Sequence, residues 1–226
     1  MLNESRGNMY AFVTHTWNTI KGRCPHDCSY CYMKRWGKQK DLHFDEKELK
    51  TDLGTGNFIF VGSSCDMWAE NIDPYWIEKT IRKCLACDDK NRFLFQSKNP
   101  KGFNRWIIQW YLPRETYLGT TIETNRVYPQ MGNTPSPHER SKEMREVWLS
   151  SKLTMVTIEP IMDFDLGILR NLVFDIRPSW VNIGADSGAH KLPEPPAGKV
   201  RELIAELSKF TEVKIKKNLN RILRGE

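Results

Sequence analysis

The sequence predicts an α/β protein, a partial (β/α)6-type open barrel with parallel strands. Short runs rich in β-branched and aromatic residues alternate with amphipathic helical patterns along almost the whole chain, as βα units around a parallel sheet do. The strand runs are mostly apolar, as strands covered on both faces are. Six or seven such repeats in 226 residues are too few for a closed eight-fold barrel, which takes about 250. No repeat, low-complexity tract or linker interrupts the pattern, so one domain is expected over residues 1–226.

The expected strands are 10–14, 57–62, 92–96, 116–122, 153–158, 179–184 and 212–216. Between them, Asp73-Pro74 places an N-cap and a first-turn proline ahead of Ile77, Ile81, Cys84 and Leu85 on one helix face. Pro100 opens a second helix, with Phe103, Trp106, Ile107 and Trp110 at helical spacing, and Pro113 ends it. Ser136-Pro137-His138-Glu139 is a capping box leading to Met144, Val147 and Trp148. A last helix carries Val200, Leu203, Ile204 and Leu207. These stripes read as core.

The net charge of +6 and pI near 9.0 suit an anionic partner such as nucleic acid. The densest basic stretch, Lys209, Lys214, Lys216, Lys217, Arg221 and Arg224, reads equally as a solvated helix end or a phosphate contact. No apolar run approaches the roughly 20 residues of a membrane span, and residues 1–6 lack a signal-peptide apolar region. A cytoplasmic protein with no membrane contact is expected, and in that reducing compartment the cysteines stay free to bind metal.

Half of the six cysteines fall in one run, Gly22-Arg23-Cys24-Pro25-His26-Asp27-Cys28-Ser29-Tyr30-Cys31-Tyr32. Chance would produce this spacing in fewer than about one such chain in a hundred. Three thiolates on a short loop select a soft centre, iron–sulfur, zinc or copper(I). Structural zinc takes four protein ligands, and no second cysteine pair lies at the usual distance; His26 would be an unusually placed fourth. Iron–sulfur clusters normally take four thiolates, so three leave one iron open to a cofactor or substrate. A zinc knuckle and a redox thiol trio remain alternatives.

The C-x3-C-x2-C spacing, with aromatic Tyr30 before the last cysteine, resembles the cluster loop of the radical S-adenosylmethionine (SAM) superfamily. The resemblance implies a [4Fe-4S] cluster held by Cys24, Cys28 and Cys31, with SAM chelating the fourth iron. It further implies reductive cleavage of SAM to a 5′-deoxyadenosyl radical that abstracts hydrogen from a substrate. An external one-electron donor such as flavodoxin or ferredoxin is then required.

Ligands of parallel α/β folds bind where the strands end. After the second strand comes Gly62-Ser63-Ser64-Cys65-Asp66, and after the third Ser97-Lys98-Asn99-Pro100. Asp66 and Lys98 carry the charges that complement the ammonium and carboxylate of SAM. The fourth strand ends in Thr121-Ile122-Glu123, the fifth in Glu159-Pro160 and the sixth in Gly184-Ala185-Asp186-Ser187-Gly188. Hydroxyls and carboxylates there suit a ribose diol, and small residues allow close approach to an adenosine.

The same turns, V-G-S-S-x-D, S-K-N-P, I-E-P and G-x-x-S-G, with Lys217-Asn218-Leu219, resemble the spore photoproduct lyase-like branch, especially a short, often phage-borne group. Gly184-Ala185-Asp186 departs from a more usual Gly-Gly-Glu. The likeness implies that Ser64 and Asp66 meet the amino group of SAM, Lys98 the carboxylate, Thr121 the ribose, and the Tyr30 backbone the adenine. Gly62, Glu123, Glu159, Gly184 and Asp186 complete the expected cofactor set. It also points to a nucleobase in DNA or RNA as substrate, with a small nucleotide, a peptide side chain or another metabolite as alternatives.

Cys65 is a candidate hydrogen-atom donor or a buried thiol, and His15, at the end of the first expected strand, a candidate catalytic group. Cys84 and Cys87 read as core or as an auxiliary pair. The long loop 123–135, with Arg126 and Tyr128, and the loop 186–197, with His190, are expected to carry substrate contacts, joined by Arg140 and Lys217. The rival reading is a non-catalytic nucleic-acid-binding module with structural zinc at the cysteine loop.

Overall fold

The computed structural model describes residues 1–104, 112–149 and 153–225. Its strands are β1 (Asn3–Glu4), β2 (His15–Trp17), β3 (Ile20–Lys21), β4 (His43–Phe44), β5 (Phe58–Val61), β6 (Arg92–Ser97), β7 (Thr116–Thr121), β8 (Leu153–Ile158), β9 (Trp180–Ile183) and β10 (Glu212–Ile215). Eight of them form one sheet in the order β1-β2-β5-β6-β7-β8-β9-β10, while β3 and β4 pair separately. All neighbours in the large sheet run parallel except β1 against β2. β1 and β10 are its edges and do not pair with each other, so the sheet is open, as expected.

The helices are α1 (Pro74–Leu85), α2 (Pro137–Leu149), α3 (Leu166–Ile176), α4 (Ala197–Leu207) and a short α5 (Asn220–Arg224). The caps read from the sequence form. Asp73 accepts the Tyr75 N–H ahead of Pro74, and Ser136 and Glu139 exchange the reciprocal bonds of a capping box. α3 was not expected. Its apolar stripe, Leu169, Leu172, Val173 and Ile176, is as regular as the others, but Asp165 ahead of it gives no capping bond, because its carboxylate is engaged by Asn125 and Arg126.

Alternation along each strand separates two apolar regions. One face of the sheet, with Ile59, Phe93, Phe95, Leu118, Val156 and Val181, packs on the helices in a single continuous core. On the other face Phe58, Leu94, Met155 and Trp180 meet Tyr10 and Val13 near the strand starts. The expected strand 10–14 is therefore corrected: these residues form a turn, and the strand begins at His15. The β-branched and aromatic character that suggested a strand serves an aromatic plug instead, with Phe12 stacked on Tyr10 and edge-on to Trp180.

The helix expected from Pro100 begins as a single 3-10 turn, Pro100–Gly102, with Phe103 fully buried. Trp106, Ile107 and Trp110 lie outside the described residues, as does the side chain of Trp148. Among the described residues no helix is long and apolar enough to cross a membrane.

Phe93 has no exposed surface and sits mid-sheet under the helices. Phe93→Ala is expected to destabilise the protein by about 3–5 kcal/mol. Ile168→Ala, at a position 46% exposed, should change stability by less than about 0.5 kcal/mol. Denaturant melts of the two variants check the assignment of core and surface.

Candidate active site

Because the strands are parallel, the turns that follow them gather at one edge of the sheet, and the cysteine loop lies against that edge. Two buried polar assemblies hold it there. The first centres on Asp66, at the end of β5. Its Oδ2 accepts from His26 Nε2 at 2.8 Å, Ser97 Oγ at 2.9 Å and the Lys98 backbone N–H at 2.8 Å, and its Oδ1 accepts from the Trp68 N–H at 3.0 Å. One carboxylate thus joins the cysteine loop to the ends of β5 and β6. Burial raises its pKa, but His26 and the two backbone donors more than offset this and hold it below the usual range.

The second assembly centres on Glu123, at the end of β7 and without exposed surface. Its Oε1 lies 2.7 Å from Lys98 Nζ and accepts from Tyr30 OH at 2.5 Å, and its Oε2 accepts from Arg140 at 2.7 Å. Burial would push this carboxyl up; the Arg140 and Lys98 cations overcome it and hold the group well below the usual range. Lys98 in turn donates to Tyr30 OH at 2.9 Å and lies 3.6 Å from Cys28 Sγ. A chain of alternating charge therefore runs from a cysteine of the loop to α2.

The loop 123–135 closes over the cysteines. Ser29 N–H donates to Gln130 O, Asn133 N–H to His26 O, and Cys28 Sγ to Met131 O. Gly132 sits with φ +63°, and a β-carbon there would fall 2.2 Å from His26 O, so only glycine lets the two loops meet.

Cys28 is buried and Cys24 and Cys31 are half-buried. They lie close enough that Cys24 and Cys31 both help to raise the Cys28 thiol, behind the larger effect of burial. The neighbouring Cys65 thiol donates to Cys24, which brings Cys24 down and Cys65 up. Among the described residues no three His, Cys, Asp or Glu side chains converge on one ion. His26, the other soft-metal ligand type within the loop, is engaged by Asp66. A cluster of several irons takes its thiolates at separate corners, and a loop bearing three thiols beside a lysine ammonium fits that donor set.

Other expected cofactor residues line the same edge. Ser64 Oγ is buried without a hydrogen-bond partner, while its N–H donates to Asn18 Oδ1 at 2.9 Å. Thr121 is buried and accepts from Gln96 Nε2 at 3.1 Å. Glu159 receives Lys216 Nζ at 2.7 Å, Asn8 at 2.8 Å and Asn218 at 3.0 Å. Gly184 packs against it, a β-carbon there falling 2.6 Å from Glu159 Oε1. Gly62 turns directly after β5 with φ +79°.

Asp66, expected to meet an ammonium group, makes its four hydrogen bonds within the protein, and these fix its place at the strand-end edge. Several expectations change. Arg140 is not a substrate contact. It has no exposed surface, and its guanidinium reaches Pro135 O, Thr121 O, Glu123 and Thr134. Arg126 is tied to Asp163 and Asp165, and Tyr128 OH donates to Asp163 O at 3.3 Å. The loop 123–135 thus clamps the cysteines instead of reaching outward. His15 opens β2 and so lies at the far edge of the sheet, bonded to Thr14 Oγ1. Asp186 accepts from Gly188 N–H and from His190 ring and backbone, folding its own loop. Lys217 is exposed, and Lys216 is the lysine that reaches in.

Tyr10, Asn18, Ser97 and Lys216 were not foreseen as site residues. Ser97 and Asn218 among the unexpected contacts carried a signal, as the first residue of the Ser97-Lys98-Asn99-Pro100 turn and the middle of the Lys217-Asn218-Leu219 turn. A cavity of about 520 Å³ opens beside Asn57, Asp88, Arg92 and Arg114. It lies at the strand starts, away from the cysteines, and gathers no comparable chemistry.

No family model and no curated protein matches the sequence. Solved structures do resemble the fold. A double mutant of spore photoproduct lyase with bound AdoMet and dinucleoside spore photoproduct superposes with a TM-score of 0.63 at 12% identity, over 90% of this chain and 64% of that one. SuiB of Streptococcus suis bound to its precursor peptide SuiA gives 0.62 at 8% identity, over 88% and 48%. SuiB bound to S-adenosylmethionine gives 0.58 at 6% identity, over 88% and 49%. The chain spans 64% of the lyase and about half of SuiB. The chain shares with these structures an open, mostly parallel α/β fold.

Arg140→Ala leaves Glu123 buried with half its counter-charge and is expected to cost about 3–5 kcal/mol, read by denaturant melts. A substrate-contact role would instead leave stability unchanged. Because the folded-state pKa of Glu123 lies below the unfolded value of about 4.3, its contribution is complete above that pH and is lost as pH falls through the folded value. Glu123→Gln should therefore flatten the acid limb of the stability–pH curve.

Proposed function

We propose that the protein is a radical SAM enzyme, in which Cys24, Cys28 and Cys31 hold a [4Fe-4S] cluster and SAM occupies the strand-end edge beside it. The observation that carries this reading is the placement of three free cysteines on one short loop, one of them 3.6 Å from the Lys98 ammonium, at the carboxyl edge of an open parallel barrel. When bound, such a cluster supplies the single electron for reductive cleavage of SAM to methionine and a 5′-deoxyadenosyl radical that abstracts hydrogen from the substrate.

This chain's own residues bind and orient. The unpartnered Ser64 hydroxyl is a ready contact for the amino group of the methionine part. Lys98, kept protonated by Glu123, offers its ammonium to the carboxylate. Thr121 and the Gly184 turn face the adenosine, with Glu159, Lys216 and Asn218 behind that turn. The loop 123–135 shields the cysteines from solvent on one side. The reading extends to an external flavodoxin- or ferredoxin-type donor, a cytoplasmic setting and a nucleobase in DNA or RNA as the group acted upon, which the net charge of +6 supports.

Anaerobic reconstitution should yield about four iron and four sulfide per chain, and each of Cys24→Ala, Cys28→Ala and Cys31→Ala should lose them. Dithionite and SAM should then give 5′-deoxyadenosine; iron binding without that product defeats the proposal. Ser64→Ala is expected to weaken SAM binding about five- to tenfold in calorimetry, the order of one hydrogen bond.

A further inference from the structure

We infer that residues 32–40, the arm that leaves the cysteine loop, form a stacking platform for a single-stranded nucleic acid and so bring its bases to the site. The inference rests on the proposed function and names its partner. The arm contains Lys34, Arg35, Lys38 and Lys40 and no acidic residue. Trp36 is 69% exposed and Tyr32 45%, two of the larger aromatic surfaces the described residues leave uncovered. The Arg35 guanidinium lies 5.1 Å from the Trp36 ring centre and 5.8 Å from that of Tyr32, so cation and rings form one continuous face.

An exposed tryptophan in a floppy segment would carry little weight, but this arm is pinned along its length. Lys34 N–H donates to Cys31 O at 2.9 Å, Tyr32 OH donates to Ser63 O at 2.6 Å, and the Gln39 amide donates to Met33 O and Gly37 O. Its far end returns to the cysteine loop, where Arg23 N–H donates to Lys40 O at 2.9 Å. The platform is thus held at both ends by the loop that carries Cys24 and Cys31. Lys34 is paired with Asp27, whereas exposed Lys38 and Lys40 form no ion pair among the described residues.

Charge alone would suit any acidic partner, including an electron-donor protein. The aromatic face decides between them. A single strand offers phosphates to the lysines and unpaired base faces to Trp36 and Tyr32, and stacking of this kind tolerates any sequence. A duplex hides its base faces, and an acidic protein surface would leave the rings uncovered. The arrangement also suits chemistry on a base, which needs that base out of the stack.

Fluorescence anisotropy of the reconstituted protein with a labelled single strand of about twelve nucleotides tests the inference. Trp36→Ala should weaken single-strand binding roughly ten-fold and leave weak duplex binding unchanged, while Trp36→Phe retains most of the affinity. Lys38→Ala with Lys40→Ala should lower the slope of log affinity against log salt by about 1.4, for two lost phosphate contacts. Unchanged single-strand binding in these variants overturns the inference. So does unchanged binding with slower reduction by an acidic flavodoxin, which would assign the platform to the electron donor. Formation of 5′-deoxyadenosine without any nucleic acid reads the cluster chemistry separately, so failure of the platform and failure of the enzyme reading are distinguishable.

Discussion

A buried carboxylate must be compensated, and two of them, Asp66 and Glu123, determine where the cysteine loop lies. The cost of an uncompensated charge in a low-dielectric interior runs to several kcal/mol. Each therefore draws donors toward itself from separate parts of the chain. Asp66 collects His26, Ser97 and two backbone N–H groups. Glu123 collects Tyr30, Lys98 and Arg140. Between them they fasten the loop to the ends of three strands and to α2. Three cysteines on a free loop would sample many arrangements; tied in this way they are presented in one.

Lys98 belongs to both assemblies, its backbone N–H to Asp66 and its ammonium to Glu123. Burial favours the neutral amine, but Glu123 reverses this and the group stays charged. The outcome is a fixed cation beside Cys28, which draws that thiol down against the larger upward effect of burial.

The open side of the sheet has its own closure. Residues 8–14 cross from β10 toward β2, with Lys216 donating to Asn8 O, Asn8 reaching Glu159 and Ser187, and Tyr10 OH reaching Gln96. This brings an N-terminal asparagine and a C-terminal lysine to one glutamate at the end of β8. The far ends of the chain thus meet at the candidate cofactor edge, and aromatic stacking of Tyr10 and Phe12 on the strand starts keeps the segment in place.

Local pattern was enough to identify most elements. The short, mostly apolar runs at β5 to β10, the proline-led caps of α1 and α2 and the C-x3-C-x2-C spacing are all short-range features, set by residues within a few positions of each other. The failures share one cause. Residues 10–14 have strand-like composition yet plug the sheet, and Arg126 sits in a loop that looked solvent-facing. In both cases the partner lies far along the chain, as Trp180 does for Phe12 and Asp165 for Arg126. Local sequence accounts for the parallel open α/β fold and for three cysteines at C-x3-C-x2-C spacing in one loop. Which charges face one another is set by the three-dimensional packing, because pairing of buried charges depends on distances across the sheet that no local pattern encodes.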